Sequence, residues 1–331
     1  MQNNSPLTNH NNKRETNMAI EFGRAICYSG YRDGQNPSLG IYPSYEQVKE
    51  DLLILEPHWD YLRLYDCGPH AHIVLNVISQ ENLPFKVMLG ADITAEVSNP
   101  NCPWGAHYDE QQLVKNKQHN IDEVERIIEL ANQYQDIVLA LSIGNEASVD
   151  WTDHLVPVES LVTYAKRIKA ATEKPITFCE NYHPWTYKLA PLVAELDFIS
   201  IHTYPAWEYK TIEEALDFTK QNYHMVADLF PEKPVVITEA GWTTASNGRG
   251  IESWNASEEL QAIYCQQLIE WSVEEQIVTF VFEAFDEPWK GSDHPEEPEK
   301  HWGFFKENRQ PKLVMQTTGQ GNKPAHIQKI A

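Results

Sequence analysis

The sequence predicts a single-domain α/β protein, a (β/α)8 barrel in which eight parallel strands alternate with helices. Three observations lead to this prediction: apolar, β-branched runs recur eight times, segments with helical periodicity separate most of them, and 331 residues suit one large barrel. Alternating strands and helices imply parallel pairing through crossover connections. An open, doubly wound sheet would alternate in the same way, but the sequence has no G-x-G-x-x-G after the first strand and no P-loop.

The predicted strands are short apolar runs bounded by polar or turn-forming residues. The run at residues 137–144 is almost continuously apolar, as expected for a strand that helices cover on both faces. In chain order, the eight predicted strands are residues 24–29, 61–66, 85–92, 137–144, 176–179, 198–204, 235–240 and 279–285.

The helices are predicted from apolar side chains that repeat every three or four positions. The clearest are at residues 45–55, 121–131, 158–171, 211–229 and 260–271. Ser44 and Ser257 are expected to cap two of them, because a serine hydroxyl can accept a hydrogen bond from the free N–H groups at a helix start. The last helix, within residues 311–316, is predicted to be short.

The barrel is predicted to span residues 22–318 as one domain, since no internal repeat, linker or low-complexity segment divides it. Residues 1–21 are polar and rich in asparagine and predict a disordered leader. Residues 319–331 are predicted to form a polar tail.

The composition disfavours several classes of partner. With 26 basic and 48 acidic residues, the chain has a net charge of −22, which repels nucleic acid and anionic lipid surfaces. No run approaches the ~18 apolar residues of a membrane-spanning helix. The first residues contain no apolar signal region, and the five cysteines are too widely spaced for a zinc or redox motif. Cys27, Cys67 and Cys179 lie in or beside apolar runs and are expected to be buried thiols.

The active groups of such barrels lie at the carboxyl ends of the strands. Polar and aromatic residues follow the predicted strands there, and carboxylates follow six of the eight. The mouth of the barrel should therefore be acidic and rich in hydrogen-bonding groups. The strand-end residues are Tyr28, Ser29, Tyr65, Asp66, Asp92, Asn145, Glu146, Glu180, Asn181, Tyr182, His202, Tyr204, Glu239, Trp242, Glu283, Asp286 and Glu287.

Two of these carboxylates have unusually apolar surroundings. Glu146 directly follows the fourth strand, and Glu239 lies inside the seventh apolar run. A carboxylate in such a position is costly unless it is paired or functional. One alternative is that each is a satisfied core acid, bonded to Arg63, Lys290 or a backbone N–H. The other is glycoside hydrolysis, which requires two facing carboxylates, one protonated and one ionised, and the fourth and seventh strands lie across the mouth from each other.

Seven short motifs carry a family resemblance. They include Ile143-Gly144-Asn145-Glu146 and Ile237-Thr238-Glu239-Ala240-Gly241-Trp242, and the others are residues 25–29, 62–66, 200–205, 285–290 and 301–305. In these motifs the chain resembles glycoside hydrolase family 17, the β-1,3-glucanase family of retaining TIM-barrel glycosidases. The resemblance spans residues 24–305, and the motifs occur in the family's order.

The resemblance implies a role for several matched residues. Glu146 would be the general acid/base and Glu239 the nucleophile, with their carboxyl groups about 5–5.5 Å apart as in retaining enzymes. Asn145 would hydrogen-bond the 2-hydroxyl of the reacting sugar. Tyr204 would hold the orientation of the nucleophile.

The eighth-strand motif departs from the plant members of the family. Their usual Asn-Glu-Asn-Gln-Lys element reads Asp286-Glu287-Pro288-Trp289-Lys290 in this chain, which keeps the spacing between glutamate and lysine. The resemblance therefore implies a charged pair of Glu287 and Lys290 beside the reacting sugar. Longer loops after the third, seventh and eighth strands leave the shape of the cleft open.

Aromatic residues in the predicted loops support a carbohydrate site, because the C–H face of a glucose unit packs on an aromatic ring. They are Tyr31, Trp104, Tyr108, Trp151, Trp185, Trp207, Trp254 and Trp289, and we expect about half of them to be loop anchors instead. The predicted substrate-binding residues are Asn145, Tyr28, Tyr65, Asp66, Tyr182, His202, Tyr204, Trp242, Glu287, Lys290, Trp151, Trp207 and Trp289.

Other chemistry has weaker support. The His70-x-His72 pair lacks accompanying carboxylates for a metal site and is expected at the surface or at a helix cap. No G-x-S-x-G elbow is present, which argues against a serine hydrolase. The acidic run at residues 293–299 is expected to be a solvated loop. We therefore expect neither a metal nor a cofactor.

The resemblance implies a retaining hydrolase of laminarin-type β-1,3-glucan, acting within the chain through two glutamates. Exo action and glucanosyl transfer by the same site are alternatives, and a non-catalytic glucan-binding barrel is an alternative of a different class. The predicted partner is a neutral glucan, and the protein is expected to be a monomer. Its substrate suggests a periplasmic, cell-surface or secreted location, while the missing signal region leaves the cytoplasm as an alternative.

Overall fold

The structure, a computed structural model, describes residues 19–317 and has the predicted barrel architecture. Eight parallel strands pair in chain order, and the eighth pairs with the first, which closes the barrel. The strands are β1 Ala25–Cys27, β2 Tyr61–Arg63, β3 Lys86–Gly90, β4 Val138–Asn145, β5 Ile176–Asn181, β6 Ile199–His202, β7 Val235–Ala240 and β8 Thr279–Val281. The helices are α1 Tyr45–Leu55, α2 Pro69–Gln80, α3 Glu110–Gln133, α4 Val158–Lys169, α5 Ala190–Val193, α6 Ile212–Leu229, α7 Glu258–Glu275 and α8 Val314–Thr317.

The apolar character of the strands follows from their position between the barrel interior and the helical layer. All residues of β5, β6 and β7 are buried. Strands that are covered on both faces need apolar side chains throughout, which is why each predicted run overlaps one observed strand. A polar side chain near the carboxyl end of such a strand can reach the barrel mouth.

Both predicted serine caps are confirmed. The Ser44 hydroxyl accepts from the backbone N–H of Gln47, and the Gln47 side chain accepts from the Ser44 N–H, which together form a capping box at α1. The Ser257 hydroxyl accepts from the backbone N–H of Leu260 at the start of α7. These bonds satisfy N–H groups that have no partner within the helix.

The connection between β5 and β6 contains little helix. A single turn of 3-10 helix, Pro184–Thr186, precedes the four-residue α5. The Trp185 side chain is buried there, donates from Nε1 to the Ser200 carbonyl at 3.0 Å and packs edge-on against Phe178. This indole thus packs against β5 and β6, in a connection where a longer crossover helix would usually lie.

The chain ends lie partly outside the described residues. The predicted leader and tail fall mainly on residues 1–18 and 318–331, so the domain boundaries stay predictions. Ile20, at the end of the predicted leader, is buried against the barrel core. The last described helix is α8, which begins at Val314 rather than at residue 311. Within residues 19–317, no helix combines the length and apolar character needed to cross a membrane. All five cysteines are buried free thiols.

Candidate active site

A cavity of about 1200 Å³ lies at the carboxyl ends of the strands. Glu146 and Glu239 both line it. Its wall also includes the exposed residues Ser38, in the loop after β1, and Trp151, in the loop after β4. These loops lie on different sides of the barrel mouth, so exposed residues border the cleft on both of these sides. Its volume exceeds the roughly 300–1,000 Å³ of ordinary small-molecule pockets, which leaves room for several sugar rings.

Glu239 is held by hydrogen-bond donors on both carboxylate oxygens. Arg63 Nη1 donates to Oε1 at 2.5 Å, and the Tyr65 hydroxyl donates to the same oxygen at 2.9 Å. The Tyr204 hydroxyl donates to Oε2 at 2.6 Å, and His202 Nδ1 lies 3.3 Å from that oxygen. Four groups from the carboxyl ends of two strands, β2 and β6, therefore fix the direction of this carboxylate.

The charges around Glu239 keep it ionised. Burial alone would raise the pKa of this carboxyl, but the positive charges of His202 and Arg63, together with the Tyr204 hydrogen bond, lower its pKa to about 2. A carboxylate that is ionised at any pH above this value and stripped of water is suited to attack an electrophilic carbon.

Glu146 has a different environment. It directly follows β4, and its φ of 45° lies in the left-handed region, which non-glycine residues seldom adopt. Its N–H donates to the Cys179 carbonyl at 2.9 Å, so the strained turn is tied to β5. The side chain is 30% exposed, whereas that of Glu239 is 7% exposed. Glu146 can therefore exchange protons with solvent and reach a substrate in the cleft. Backbone strain of this kind is common at functional sites.

His202 connects the two glutamates. Its Nδ1 lies 2.8 Å from Glu146 Oε1, and one carboxylate oxygen of each glutamate lies within 4.8 Å of the other and of a His202 nitrogen. This separation is close to the ~5–5.5 Å of retaining glycosidases and well below the ~6.5–9.5 Å of inverting ones. Burial lowers the pKa of His202, but Glu239, Cys179 and Glu146 raise it to about 10, so the imidazole is positively charged at neutral pH.

Arg63 also holds Asn145. Its Nη2 donates to the Asn145 side-chain oxygen, and His154 Nε2 lies 2.8 Å from the Asn145 carbonyl. With its oxygen engaged, the Asn145 amide has its NH2 group left for the cleft, which this residue lines. That arrangement suits donation to a sugar hydroxyl.

Lys290 forms a buried charge cluster with two acids. Its Nζ lies 2.7 Å from Glu283 Oε2 and 2.6 Å from Glu287 Oε2. Burial would lower the pKa of Lys290, but Glu283 and Glu287 raise it, so the lysine stays charged. Burial and the adjacent Glu287 raise the pKa of Glu283 well above its usual range. The expected pair of Glu287 and Lys290 is present, with Glu283 as a third member, and Lys290 lines the cleft.

Nine of the thirteen predicted substrate-binding residues line the cleft: Tyr28, Tyr65, Asp66, Asn145, Trp151, Tyr204, Trp207, Trp289 and Lys290. His202 and Glu287 are fully buried beneath it and act on the residues that line it. Tyr182 packs edge-on against Phe218 of α6 instead. Their roles toward a substrate stay predictions.

Trp242 does not reach the cleft, contrary to the prediction. Its indole is fully buried, donates from Nε1 to the Asn255 carbonyl at 2.9 Å and packs on Tyr264 of α7. Trp242 lies two residues beyond the end of β7, so its direction follows from its contacts with Asn255 and Tyr264 and not from the strand. Trp242 anchors the loop after β7 to the helical layer.

Fewer of the eight loop aromatics are anchors than the half that was expected, since only three of them lie outside the cleft. Trp185 is buried between β5 and β6, Tyr108 donates its hydroxyl to the Asp153 carbonyl, and Trp254 is exposed outside the cleft. The aromatics that line the cleft are Tyr31, Trp104, Trp151, Trp207 and Trp289.

The expectation that both histidines of the His70-x-His72 pair lie at the surface or at a helix cap is wrong for His70. Its side chain is 2% exposed and lines the cleft, whereas His72 lies on the exposed side of α2. Residues two apart on a helix point in different directions, so the pair can neither chelate one metal nor share one environment. The acidic run at residues 293–299 is also only partly solvated, because Glu297 is buried and paired with Arg249 and Glu299 lines the cleft.

Sequence reasoning assigned no site role to Arg63 or Trp302. Arg63 is a charge inside the apolar β2, the same kind of signal that indicates Glu239. Trp302 is fully buried, contacts the rings of Tyr204 and Trp207, and forms part of the cleft floor.

Known proteins share this sequence pattern and fold. The BtgE/BtgC glycoside hydrolase domain matches residues 25–303. A glucan 1,3-beta-glucosidase of Arthroderma benhamiae is 24% identical over 195 residues, which are 54% of this chain and 61% of that protein. A relative from Aspergillus niger is 25% identical to this chain over 286 residues. The chain spans only 39% of the length of that relative.

Two solved structures have the same barrel. An endo-laminarinase from Formosa Hel1_33_131 has a TM-score of 0.73 and 27% identity, covering 88% of this chain and 85% of that one. A glycoside hydrolase family 17 β-1,3-glucanosyltransferase from Rhizomucor miehei has a TM-score of 0.68 and 23% identity. The match covers 88% of this chain and 95% of that one, and it shows that the two proteins share a fold. Because the family match covers most of the chain, this protein belongs to the BtgE/BtgC glycoside hydrolase domain family, and the predicted resemblance to family 17 is confirmed.

Proposed function

We propose that the protein hydrolyses β-1,3-glucan within the chain by a retaining double displacement. The observation that carries this proposal is the pair of carboxylates, Glu146 and Glu239, whose oxygens approach within 4.8 Å in an open cleft. The linkage is supported by the endo-laminarinase, which is 27% identical over most of both chains. A neutral polymer is also compatible with a chain of net charge −22.

In the first step, a carboxylate oxygen of Glu239 forms a bond to the anomeric carbon while the glycosidic C–O bond breaks. Glu146 gives its proton to the departing oxygen, so that a neutral sugar hydroxyl leaves. Arg63, Tyr65 and Tyr204 hold the attacking carboxylate in position and are already in place before the substrate binds.

In the second step, Glu146 takes a proton from water, and the oxygen of that water attacks the anomeric carbon and releases Glu239. Forming the glycosyl ester removes a negative charge that lies within 4.8 Å of Glu146. The surroundings of Glu146 therefore differ between the two steps, in which it acts first as the acid and then as the base. His202, positively charged between the two glutamates, balances their charges in both steps.

An open cleft favours endo action. The lining residues Ser38 and Trp151 are exposed on loops after β1 and β4, so a polymer can enter and leave on different sides. Exo action would require one of these sides to be closed, so that only a chain end could reach the glutamates.

The time course on laminarin tests the proposal. Viscosity should fall before much glucose is released, and early products should be oligosaccharides. Early release of glucose alone would instead indicate exo action, and products longer than a supplied oligosaccharide would indicate glucanosyl transfer. A cellulose oligosaccharide serves as the linkage control, and Glu239→Gln as the catalytic control. Absence of new reducing ends from laminarin would contradict the proposal.

We place this activity outside the cytoplasm, in the periplasm, at the cell surface or in the medium, because a glucan polymer is met there. The binding partner is then a neutral glucan chain, and a monomer is sufficient because the described residues supply both glutamates and the cleft. Cell fractionation with an antibody tests the location, and light scattering of the purified protein tests the monomer.

A further inference from the structure

One peptide group in the active site is hydrogen-bonded at both ends. It joins Asn145, the last residue of β4, to Glu146, and its N–H donates to the Cys179 carbonyl at 2.9 Å. Its carbonyl oxygen lies 2.8 Å from His154 Nε2. The φ of Glu146 is 45°, a left-handed conformation that a non-glycine residue keeps only where the surrounding structure imposes it. These two hydrogen bonds hold the peptide on either side of its plane and so impose that conformation.

The hydrogen bond from His154 has a fixed direction. A backbone carbonyl can only accept, so Nε2 carries the hydrogen. The other ring nitrogen, Nδ1, lies 2.7 Å from Asp153 Oδ1 and 3.0 Å from Thr152 Oγ1. In the protonated ring Nδ1 donates to the Asp153 carboxylate, and in the neutral ring it accepts from the Thr152 hydroxyl. Nε2 therefore donates to the Asn145 carbonyl in both protonation states.

The electrostatic surroundings strengthen this bond. Burial opposes a charge on His154, but its hydrogen bonds to Asp153 and to the Asn145 carbonyl raise its pKa above the ordinary value. The imidazole is therefore protonated over a wider pH range than a free histidine. A charged donor makes a stronger hydrogen bond than a neutral one.

The loop that supplies the imidazole is itself anchored. The Asn99 side-chain NH2 donates to the carbonyls of Asp150 and Thr152, at 2.9 Å and 2.7 Å. The Tyr108 hydroxyl donates to the Asp153 carbonyl at 2.8 Å. Both donors belong to the loop after β3, so two neighbouring loops fix the residues on which the ring is mounted.

His154 has no direct access to the reacting atoms. It is only partly buried, and it does not belong to the lining of the cleft that residues 19–317 form. Its contact with the machinery is the Asn145 carbonyl, next to Glu146. The donors to Glu239 come from β2 and β6 and do not depend on this loop. Loss of the His154 bond should therefore affect proton transfer and spare the nucleophile.

We propose that His154 is a positioning residue for the acid/base. By holding the Asn145 carbonyl, it keeps Glu146 in the left-handed turn with its carboxyl directed at the departing oxygen. The proposal rests on the proposed function, because that function makes Glu146 the proton donor.

Replacing His154 by Leu removes the donor. The kcat on laminarin should fall about ten- to hundredfold, as expected when a catalytic group is misplaced, and KM should stay within about twofold of the wild-type value. The first step on a dinitrophenyl glycoside, a good leaving group, should be almost unaffected. The same step on a glycoside with a poor leaving group should fall as laminarin turnover does. A purely structural loss would lower both rates equally.

Two further variants complete the test. His154→Gln keeps a side-chain N–H that can reach the same carbonyl, and it should recover most of the lost kcat. His119→Leu is the matched control, because His119 Nε2 lies 3.0 Å from the Asp92 carbonyl and that bond does not hold Glu146. This control should keep the wild-type kcat and the wild-type dependence on the leaving group.

The outcomes separate the two proposals. Wild-type kcat in His154→Leu, or equal losses on good and poor leaving groups, would overturn the role of His154. A wild-type protein that cleaves aryl β-glycosides but not laminarin would overturn the proposed linkage, and the aryl series would still decide the role of His154. A wild-type protein inactive on both would overturn the proposed function, and the role of His154 with it.

Discussion

Glu146 and Glu239 lie 2.8 Å and 3.3 Å from the same atom, Nδ1 of His202. One imidazolium thus faces both carboxylates that the proposed reaction needs. The two acids differ in their burial and in their hydrogen-bond donors. Glu239 is buried and accepts hydrogen bonds from Arg63, Tyr65 and Tyr204. Glu146 is partly exposed. This asymmetry gives two chemically identical side chains different roles.

Replacing Glu239 by Ala should lower kcat on laminarin by at least about a thousandfold, because no nucleophile remains. Added azide should restore part of the turnover of an activated aryl β-glycoside and give an α-glycosyl azide. The anomeric configuration of that azide is read by NMR. Unchanged turnover of laminarin in this variant would rule out Glu239 as the nucleophile.

Replacing Glu146 by Ala should lower kcat on laminarin by about 10²–10⁴, the usual contribution of general acid–base catalysis. Aryl glycosides with good leaving groups need little proton donation, so their first step should be almost unaffected. Pre-steady-state release of nitrophenol measures that step. Equal losses on both kinds of substrate would argue against the acid/base role.

Replacing Arg63 by Gln should shift the acidic limb of the pH–activity profile to higher pH. Arg63 lowers the pKa of Glu239, and the nucleophile must be ionised to react. Since the folded pKa is depressed to about 2 against about 4.3 when unfolded, this ionisation stabilises the fold above pH ~4.3, and the stabilisation is lost as the pH falls through about 2. Arg167→Gln, in an exposed pair with Glu125, is the control and should leave the profile unchanged.

Replacing His202 by Gln should change how stability depends on pH on the alkaline side. The pKa of His202 is raised to about 10 against about 6.5 when unfolded, so its protonation stabilises the fold fully below pH ~6.5 and progressively less as the pH rises through about 10. Urea unfolding at pH 6 and pH 9 should show a smaller loss of unfolding free energy in the variant than in the wild type. Parallel pH dependences would show that His202 is not charged in the folded protein.

The fold and the two glutamates could be predicted because their signals are local. Strands that are covered on both faces require apolar runs, and a carboxylate in such a run is conspicuous, as Glu146 and Glu239 are. Arg63 has the same local signal, because it is a charged side chain within the apolar β2 and pairs with Glu239.

Other parts of the site depend on long-range packing and could not be read from the sequence. His70 packs against the rings of Tyr28 and Tyr31, which come from a different part of the chain, and Tyr31 packs in turn on Trp289. The acidic run after β8 has the composition of a solvated loop, yet Glu297 pairs with Arg249 of another loop. The position of Trp242 also depends on long-range packing, because its indole is buried by contacts with Asn255 and Tyr264, which lie further along the chain.

The anomeric configuration of the first product tests the central claim most directly. Proton NMR during the first minutes of laminarin hydrolysis, before mutarotation, distinguishes new α from new β reducing ends. A double displacement through Glu239, with Glu146 within 4.8 Å, predicts that β reducing ends form first. Initial formation of α reducing ends would mean that water attacks directly, and it would contradict the roles proposed for both glutamates.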